Sequence, residues 1–332
     1  MVDVLPHVEA YLATLHPPDM FAARTLIMRL LDEGLSASTL MDEVLGPAQR
    51  EIGRRWQVGQ WSVAQEHAAT AITDSVLAAV SLRTATAPAC AGRVVTGCVE
   101  DEWHTLPMRM VTECLVAAGY DVVSLGPSLP SIHLAGFIAD VDPLAVLLSC
   151  TNPLNLAGAR RAIQAAHDAQ APVIIGGGAL DTYGIRAAAL GADAYACNAA
   201  AAISLLADWS TEPPHLAESH AVPPEQAVLE FPRPELIEDC LRELLRVRPA
   251  LSAMTETQLA RTREDILRFC SAAMVTHDPT ILDEFTVWLR DLLAPRHVPA
   301  ATIKVSYEAI ATTLGHRFPD AIAMLRHAAT LI

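Results

Sequence analysis

Between residues 93 and 198 the chain alternates short, almost wholly apolar runs with stretches of helical periodicity, and this alternation constrains the fold more than any other feature. RVVTGCV (93–99), DVVSLG (121–126), AVLLSC (145–150) and PVIIGGG (172–178) are each followed by a helix-like stretch, and DAYACN (193–198) supplies a fifth run. Continuous apolar runs of this kind mark strands buried on both faces by crossover helices. The pattern predicts a flavodoxin-like, doubly wound parallel sheet over 93–208, an α/β unit whose ligands sit beyond the carboxyl ends of the strands.

On both sides of this unit the period changes to that of helices. In 1–84, Leu26, Ile27, Leu30 and Leu31 share a face, and Leu40, Val44, Leu45, Ala48 and Ile52 recur at steps of three and four. Pro17-Pro18-Asp19 and Ser36-Ala37-Ser38 supply helix starts and Glu33-Gly34 a stop. Four helices are predicted, near 4–15, 19–33, 38–56 and 61–83, followed by a small-residue linker, TATAPACAG (84–92). A stretch containing Pro, Ser and His (209–226) leads to an all-α, globin-like segment at 227–332. Helices are predicted there at 233–248, 256–276, 279–294, 299–314 and 319–331, with Pro279, Pro299 and Pro319 placed where helices begin.

Composition narrows the partners. The formal net charge of −15 argues against a nucleic-acid partner, since neutralising phosphates needs clustered Lys and Arg. The N-terminus carries no signal-peptide pattern, and no apolar run reaches the roughly 18–20 residues that span a bilayer, so no membrane partner is expected. The seven cysteines form no CxxC pair. A cytoplasmic setting with reduced thiols follows as the expectation.

The chemistry concentrates after the first strand, in GCVEDEWHTLP (97–107). A histidine on a loop at the carboxyl edge of a parallel sheet can ligate a metal, and Glu102, two residues before His104, can set its tautomer from the second shell. Taken alone, His104 reads more readily as a loop histidine without a ligand. It is, however, part of a series: Glu102-x-His104-x-x-Pro107, then Ser149-x-Thr151 at the end of the third strand, then Gly176-Gly177-Gly178 at the end of the fourth. In order and spacing the series resembles the cobalamin-binding signature Asp-x-His-x-x-Gly, Ser-x-Leu, Gly-Gly. Glu102, Pro107 and Thr151 depart from it. The resemblance implies that His104 is the lower ligand of cobalt and that Trp103, Thr105, Leu106 and Pro107 contact the cofactor. It also implies that Ser149, Thr151 and the glycines receive the displaced nucleotide tail.

The helical N-terminal segment adds Trp56, then nine residues, then Glu66-His67. This is similar to the Trp-x9-Glu-His motif of light-sensing adenosylcobalamin proteins, whose four-helix cap covers the upper face of the corrin. The resemblance covers roughly residues 1–208. It implies that Trp56 covers the adenosyl group, with Glu66 and His67 as polar contacts. Residue 57 is Gln, where the light-dependent cobalamin repressors carry a second histidine, so a bis-histidine light state would need His67 or another group as its second ligand. Their DNA-binding module is expected to be lacking here.

The order of segments, with helices after the sheet, resembles the photocobilins, cobalamin photoreceptors that also hold a bilin. A linear tetrapyrrole needs aromatic walls and cations for two propionates. Trp288, Arg290, Arg296, His297, Tyr307, His316 and Arg317 offer these for biliverdin. A helical dimerisation segment without a ligand is the alternative reading. The expected function is a non-enzymatic light sensor, a homo-oligomer (dimer) that signals through its quaternary state or to a separate output protein. A corrinoid methyl carrier is the first alternative. A cobalamin subunit of a radical mutase is the second, for which no substrate barrel is in sight.

Overall fold

The computed structural model of the chain describes residues 5–84, 90–218, 220–249 and 256–332. Residue 4 of the first predicted helix and residues 85–89 of the predicted linker lie outside them.

The apolar runs form β1 (Arg93–Cys98), β2 (Asp121–Ser124), β3 (Ala145–Ser149), β4 (Val173–Gly176) and β5 (Ala194–Tyr195). Among the described residues they make one five-stranded parallel sheet in the order β2-β1-β3-β4-β5. The strands end earlier than the runs do. Past them the backbone turns out of the extended region, at Gly126 (φ 73°) and Gly177 (φ 112°). The direction of winding reverses between β1 and β3, which opens a crevice above those two strands. Register then aligns the motif ends: Cys98 pairs with Ser149, and Ser149 with Gly176.

Alternation along the strands splits the sheet's side chains between two layers. Val94, Leu147 and Ile174 face α6 (Thr105–Ala117) and α10 (Ala199–Trp209), whereas Val95, Val146, Leu148 and Ile175 face α7 (Ser131–Val141) and α8 (Leu156–Asp168). The short α9 (Ile185–Leu190) precedes β5.

The cap consists of α1 (Leu5–Leu15), α2 (Met20–Asp32), α3 (Ala37–Leu40), α4 (Gly46–Gln57) and α5 (Val63–Thr84). Asp19 accepts from Ala22 N at 2.9 Å and Ser36 from Thr39 N at 3.1 Å, so two of the predicted starts act as N-caps. The predicted third helix is not uniform. A π-helical turn, Met41–Leu45, joins α3 to α4. Its extra residue per turn lets Leu40, Met41, Val44 and Leu45 all face inward ahead of Ala48 and Ile52. The cap core extends onto the sheet unit through Leu106, Met110 and Cys114 of α6 and Ala199 of α10.

The third segment comprises α11 (Glu225–Glu230), α12 (Pro234–Val247), α13 (Glu256–Thr276), α14 (Thr280–Leu293), α15 (Ala301–Leu314) and α16 (Pro319–Ala328). Helix α11 corrects the sequence reading, which begins the segment at 227 and assigns 209–226 to a linker. Nor do these helices hang off the sheet unit. Helix α13 packs across α8, α9 and the turn Pro153–Asn155, and its apolar face shares one core with α7 and α8. Arg186 of α9, only 3% exposed, bonds to Asp278 and Glu284 at 2.7 Å each and to Thr280 at 3.2 Å. Arg161 of α8 bridges Glu100 (2.9 Å) and Glu230. No helix among the described residues is long and apolar enough to cross a membrane.

Candidate cofactor-binding site

The site is built where β1 and β3 end. Beyond β1 the chain turns through Asp101 (φ 63°) and buries Glu102 completely. Its Oε1 accepts from the His104 backbone N–H at 2.9 Å and from His104 Nδ1 at 2.6 Å. Its Oε2 accepts from Thr151 N and Asn152 N at 2.7 Å each and from Asn155 Nδ2 at 3.3 Å. Burial pushes the Glu102 carboxyl up, but hydrogen bonds from the His104 side chain and backbone and from Asn152 N outweigh it and hold the group below its ordinary value. The carboxylate is therefore ionised and can only accept, so the proton of neutral His104 sits on Nδ1. Nε2, on a side chain 61% exposed, keeps its lone pair and no protein partner among the described residues. The basicity of His104 is raised, first by the hydrogen bond to Glu102, against burial, with the charges of Glu102 and Glu66 adding. A fixed tautomer with an outward ring nitrogen is what a metal-ligating histidine requires.

One strand over, Ser149 is 3% exposed, and neither its Oγ nor the buried Oγ1 of Thr151 has a hydrogen-bond partner among the described residues. Buried hydroxyls rarely go unpaired, so this pair suits a polar ligand group entering beside the sheet. The glycines divide by role. A Cβ on Gly176 would meet Ala196 O at 2.6 Å, and one on Gly177 would meet Cys150 O at 2.3 Å, so the sheet itself requires both. A Cβ on Gly178 would meet nothing nearer than Thr151 O at 3.5 Å, and only there is the absence of a side chain left for a ligand to exploit. The unpaired Ser149 and Thr151 hydroxyls beside the open Gly178 fit residues that would receive a corrinoid's nucleotide tail.

The rest of the loop separates likewise. Trp103 is 70% exposed. Helix α6 begins at Thr105, which places Pro107 in its first turn, where its missing N–H costs nothing. Leu106 is buried in the cap core, so it joins α6 to the cap rather than facing a ligand.

Glu66 of α5 lies near enough to raise the basicity of His104 by its charge. It also pairs with the exposed His67 at 2.5 Å and accepts from Thr70 Oγ1 at 3.0 Å. Trp56, at the end of α4, meets the third segment: its ring lies 6.3 Å from Trp288 and 5.9 Å from the Arg296 guanidinium. Gln57 Nε2 donates to Trp288 O at 3.4 Å, and Arg296 donates to Gln57 O at 3.2 Å.

The seven residues considered for a bilin are spread over three places. Trp288, Arg290, Arg296 and His297 lie along α14 and the turn after it, with Arg290 paired to Asp291. Trp288 ends a ladder in which Phe269 and Phe285 stack at 3.8 Å and Phe285 and Trp288 at 5.9 Å. His316 and Arg317 are exposed at the α15–α16 turn. Tyr307 is fully buried, its hydroxyl bonded to Thr286 Oγ1 at 2.7 Å and its acidity suppressed by burial. It is a core residue, not a chromophore wall.

Sequence reasoning missed Asn152 and Asn155. An Asn-Pro pair right after a strand signals a capped turn, and Asn152 Oδ1 does accept from Leu154 N at 3.1 Å. Nothing local shows that this turn holds Glu102.

Residues 92–204 match a family model described as B12 binding domain, and residues 19–81 match a second model of the same description. The chain therefore carries a cobalamin-binding module composed of the sheet unit and its helical cap. Among curated proteins it is similar to the HTH-type transcriptional repressor CarH of Myxococcus xanthus, 29% identical over 150 residues. That match covers 44% of this chain and spans only half of the repressor's length. Among solved structures, the monomethylamine corrinoid protein of Methanosarcina barkeri shares the fold, with a TM-score of 0.53 at 18% identity, over 61% of this chain and 98% of that one.

Proposed function

We propose that the protein is a light sensor that holds adenosylcobalamin between the cap and the carboxyl edge of the sheet, and that it is not an enzyme. The observation that carries this reading is the ionised, buried Glu102 presenting His104 with Nε2 outward, beneath a cap helix bearing Glu66-His67. His104 would hold cobalt from below, Ser149, Thr151 and Gly178 the nucleotide tail, and Trp56, Glu66 and His67 the upper face. When bound, adenosylcobalamin supplies a cobalt–carbon bond that visible light can break. The similarity of the module to that of a repressor supports a regulatory role. The sensor would be cytoplasmic and act through homo-oligomer assembly or a separate output protein, with the cap as a two-state element.

In this reading the third segment carries a second chromophore, a bilin such as biliverdin, at Trp288 and Arg296, where cap and α14 meet. Because α13 shares a core with the sheet unit, full-length variants rather than truncations test that site. Protein produced with biliverdin should show a red band that acid denaturation releases, and Trp288→Ala should shift or abolish it. Absence of the band from the full chain would leave α11–α16 as an assembly element.

A second reading, a corrinoid methyl carrier, is supported by the fold shared with the monomethylamine corrinoid protein and by Gln57. Purified protein loaded with adenosylcobalamin should change its absorption spectrum under green light, and His104→Ala should lose the histidine-coordinated form. Trp56→Ala should erase a preference for adenosyl- over methylcobalamin. If wild type shows no such preference and no light response, the carrier reading replaces the sensor.

A further inference from the structure

We infer that Arg186 is a positioning residue for the nucleotide-tail loop, through which the third segment holds the peptides that follow Gly178; the inference rests on the cobalamin reading above. Gly178 is the one glycine of its triplet with room beside it, and the chain that leaves this opening is pinned. The N–H of Ala179 bonds to Cys150 O and that of Leu180 to Gly177 O, at 3.1 Å each. The carbonyl of Ala179, a fully buried residue, accepts from Arg186 Nη1 at 3.2 Å. Both peptides after Gly178 are thus fixed in orientation, and the second of them is fixed in part by a side chain.

The other bonds of that side chain leave the sheet unit. Nε donates to Asp278 at 2.7 Å, and Nη2 donates to Glu284 at 2.7 Å and to Thr280 Oγ1 at 3.2 Å. These three partners lie where α13 gives way to α14 and in the first turns of α14. Arg186 is 3% exposed, and burial works against its charge, but hydrogen bonds to Glu284 and Asp278 outweigh it and raise its basicity. A charged, planar fork can serve a carbonyl and two carboxylates at once, which the single nitrogen of a lysine cannot. Its backbone is held too, with the N–H bonded to Asp181 Oδ1 at 2.6 Å. The match to the B12 binding domain ends at residue 204, so the support of this loop is completed by residues beyond the matched module.

Glu284 stands one helical turn before Trp288 on α14, and Trp288 meets Trp56 of the cap. A single helix of the third segment therefore touches both sides of the cofactor site, the tail loop through Arg186 and the cap through Trp288. The third segment sets how firmly the tail is received, whether or not it holds a ligand of its own.

The test compares cobalamin with cobinamide, a corrinoid that lacks the nucleotide tail, each titrated in its cob(II) form into the full chain. The readout is the ratio of the two dissociation constants relative to wild type, which isolates the tail. In Arg186→Met and Arg186→Lys the affinity for cobinamide should hold, while the relative affinity for cobalamin falls roughly three- to tenfold, the net worth of one hydrogen bond that no longer orders the loop. Glu284→Ala, at a side chain 59% exposed, should fold like wild type and move the ratio in the same direction. Ser149→Ala, which removes a hydroxyl from the tail site itself, is the control and should also lower the relative affinity for cobalamin. If Ser149→Ala moves the ratio and the folded Arg186 and Glu284 variants do not, the inference is overturned and the cobalamin reading stands. An equal loss of both corrinoids in the Arg186 variants would likewise overturn it, since Arg186 would then support the fold at large. An unchanged ratio in Ser149→Ala would overturn the place of the tail, and the inference with it. Wild type that binds neither corrinoid would overturn the cobalamin reading. Should both Arg186 variants unfold, Glu284→Ala decides.

Discussion

Replacing Glu102 with glutamine separates the charge of the buried carboxylate from its shape. The two oxygens of Glu102 receive five donors, two at Oε1 and three at Oε2. A glutamine offers one acceptor and one donor, so one side of the clamp must lose its acceptor. Turning the amide nitrogen toward Thr151 and Asn152 would strand two buried backbone N–H groups, at about 1–3 kcal/mol each. Turning it toward His104 strands only the His104 N–H, because the imidazole can answer by moving its own proton to Nε2 and accepting at Nδ1. The second arrangement is the cheaper. Glu102→Gln should therefore cost the cofactor-free protein about 1–3 kcal/mol, a drop of roughly 2–12 °C in Tm. It should also convert His104 to the Nε2–H tautomer, which has no lone pair outward, and weaken cobalamin binding by roughly 10–100-fold. Thermal unfolding followed by circular dichroism, nitrogen NMR of the histidines and equilibrium dialysis of cobalamin read the three effects separately. A variant with wild-type Tm and an Nδ1–H tautomer would refute the reasoning, since the carboxylate would then not be what orients the ring.

The glycines should part company. Gly177→Ala places a Cβ 2.3 Å from Cys150 O at φ 112° and should cost about 2–6 kcal/mol of stability, from strain and overpacking together. Gly178→Ala should leave the unfolding of the cofactor-free protein unchanged and weaken cobalamin retention; equal Tm losses in both variants would contradict this division. At the joint between cap and sheet unit, Glu113 is 6% exposed, with Oε2 unpaired. Burial raises its pKa, against a hydrogen bond from Ser81 and the charge of Arg109. The folded state thus holds this proton more tightly than the unfolded state does. The penalty is fully present above the raised folded pKa and fades as pH falls through it toward the ordinary carboxyl range. Glu113→Gln should raise the denaturation midpoint at pH 7 and flatten the pH dependence as pH is lowered toward the ordinary carboxyl range. A midpoint lowered at pH 7 would show that the charged form is the stabilising one.

The parts of this protein that depend on neighbours along the chain were legible in the sequence. Strands at 93, 121, 145, 173 and 194 follow from apolar runs, and the caps at Asp19 and Ser36 from side chains that satisfy nearby N–H groups. The Glu102–His104 pair follows from a spacing of two residues on one loop. Tyr307 was legible too, since Ile303, Tyr307, Ile310 and Leu314 recur at helical steps and all are buried; a core face, not a chromophore wall, is what that spacing marks. What only the tertiary structure decided joins residues far apart in sequence. Sheet register brings the Thr151–Asn155 turn against Glu102 and sets Cys150 O against Gly177. Docking sets Trp56 of the cap beside Trp288 and inserts Arg186 of α9 between Asp278 and Glu284. Local periodicity can say that each of these segments has an apolar face or a turn. Which distant group a buried donor, acceptor or ring then meets is set by how the layers dock, because desolvated polar groups must find partners wherever packing has placed them.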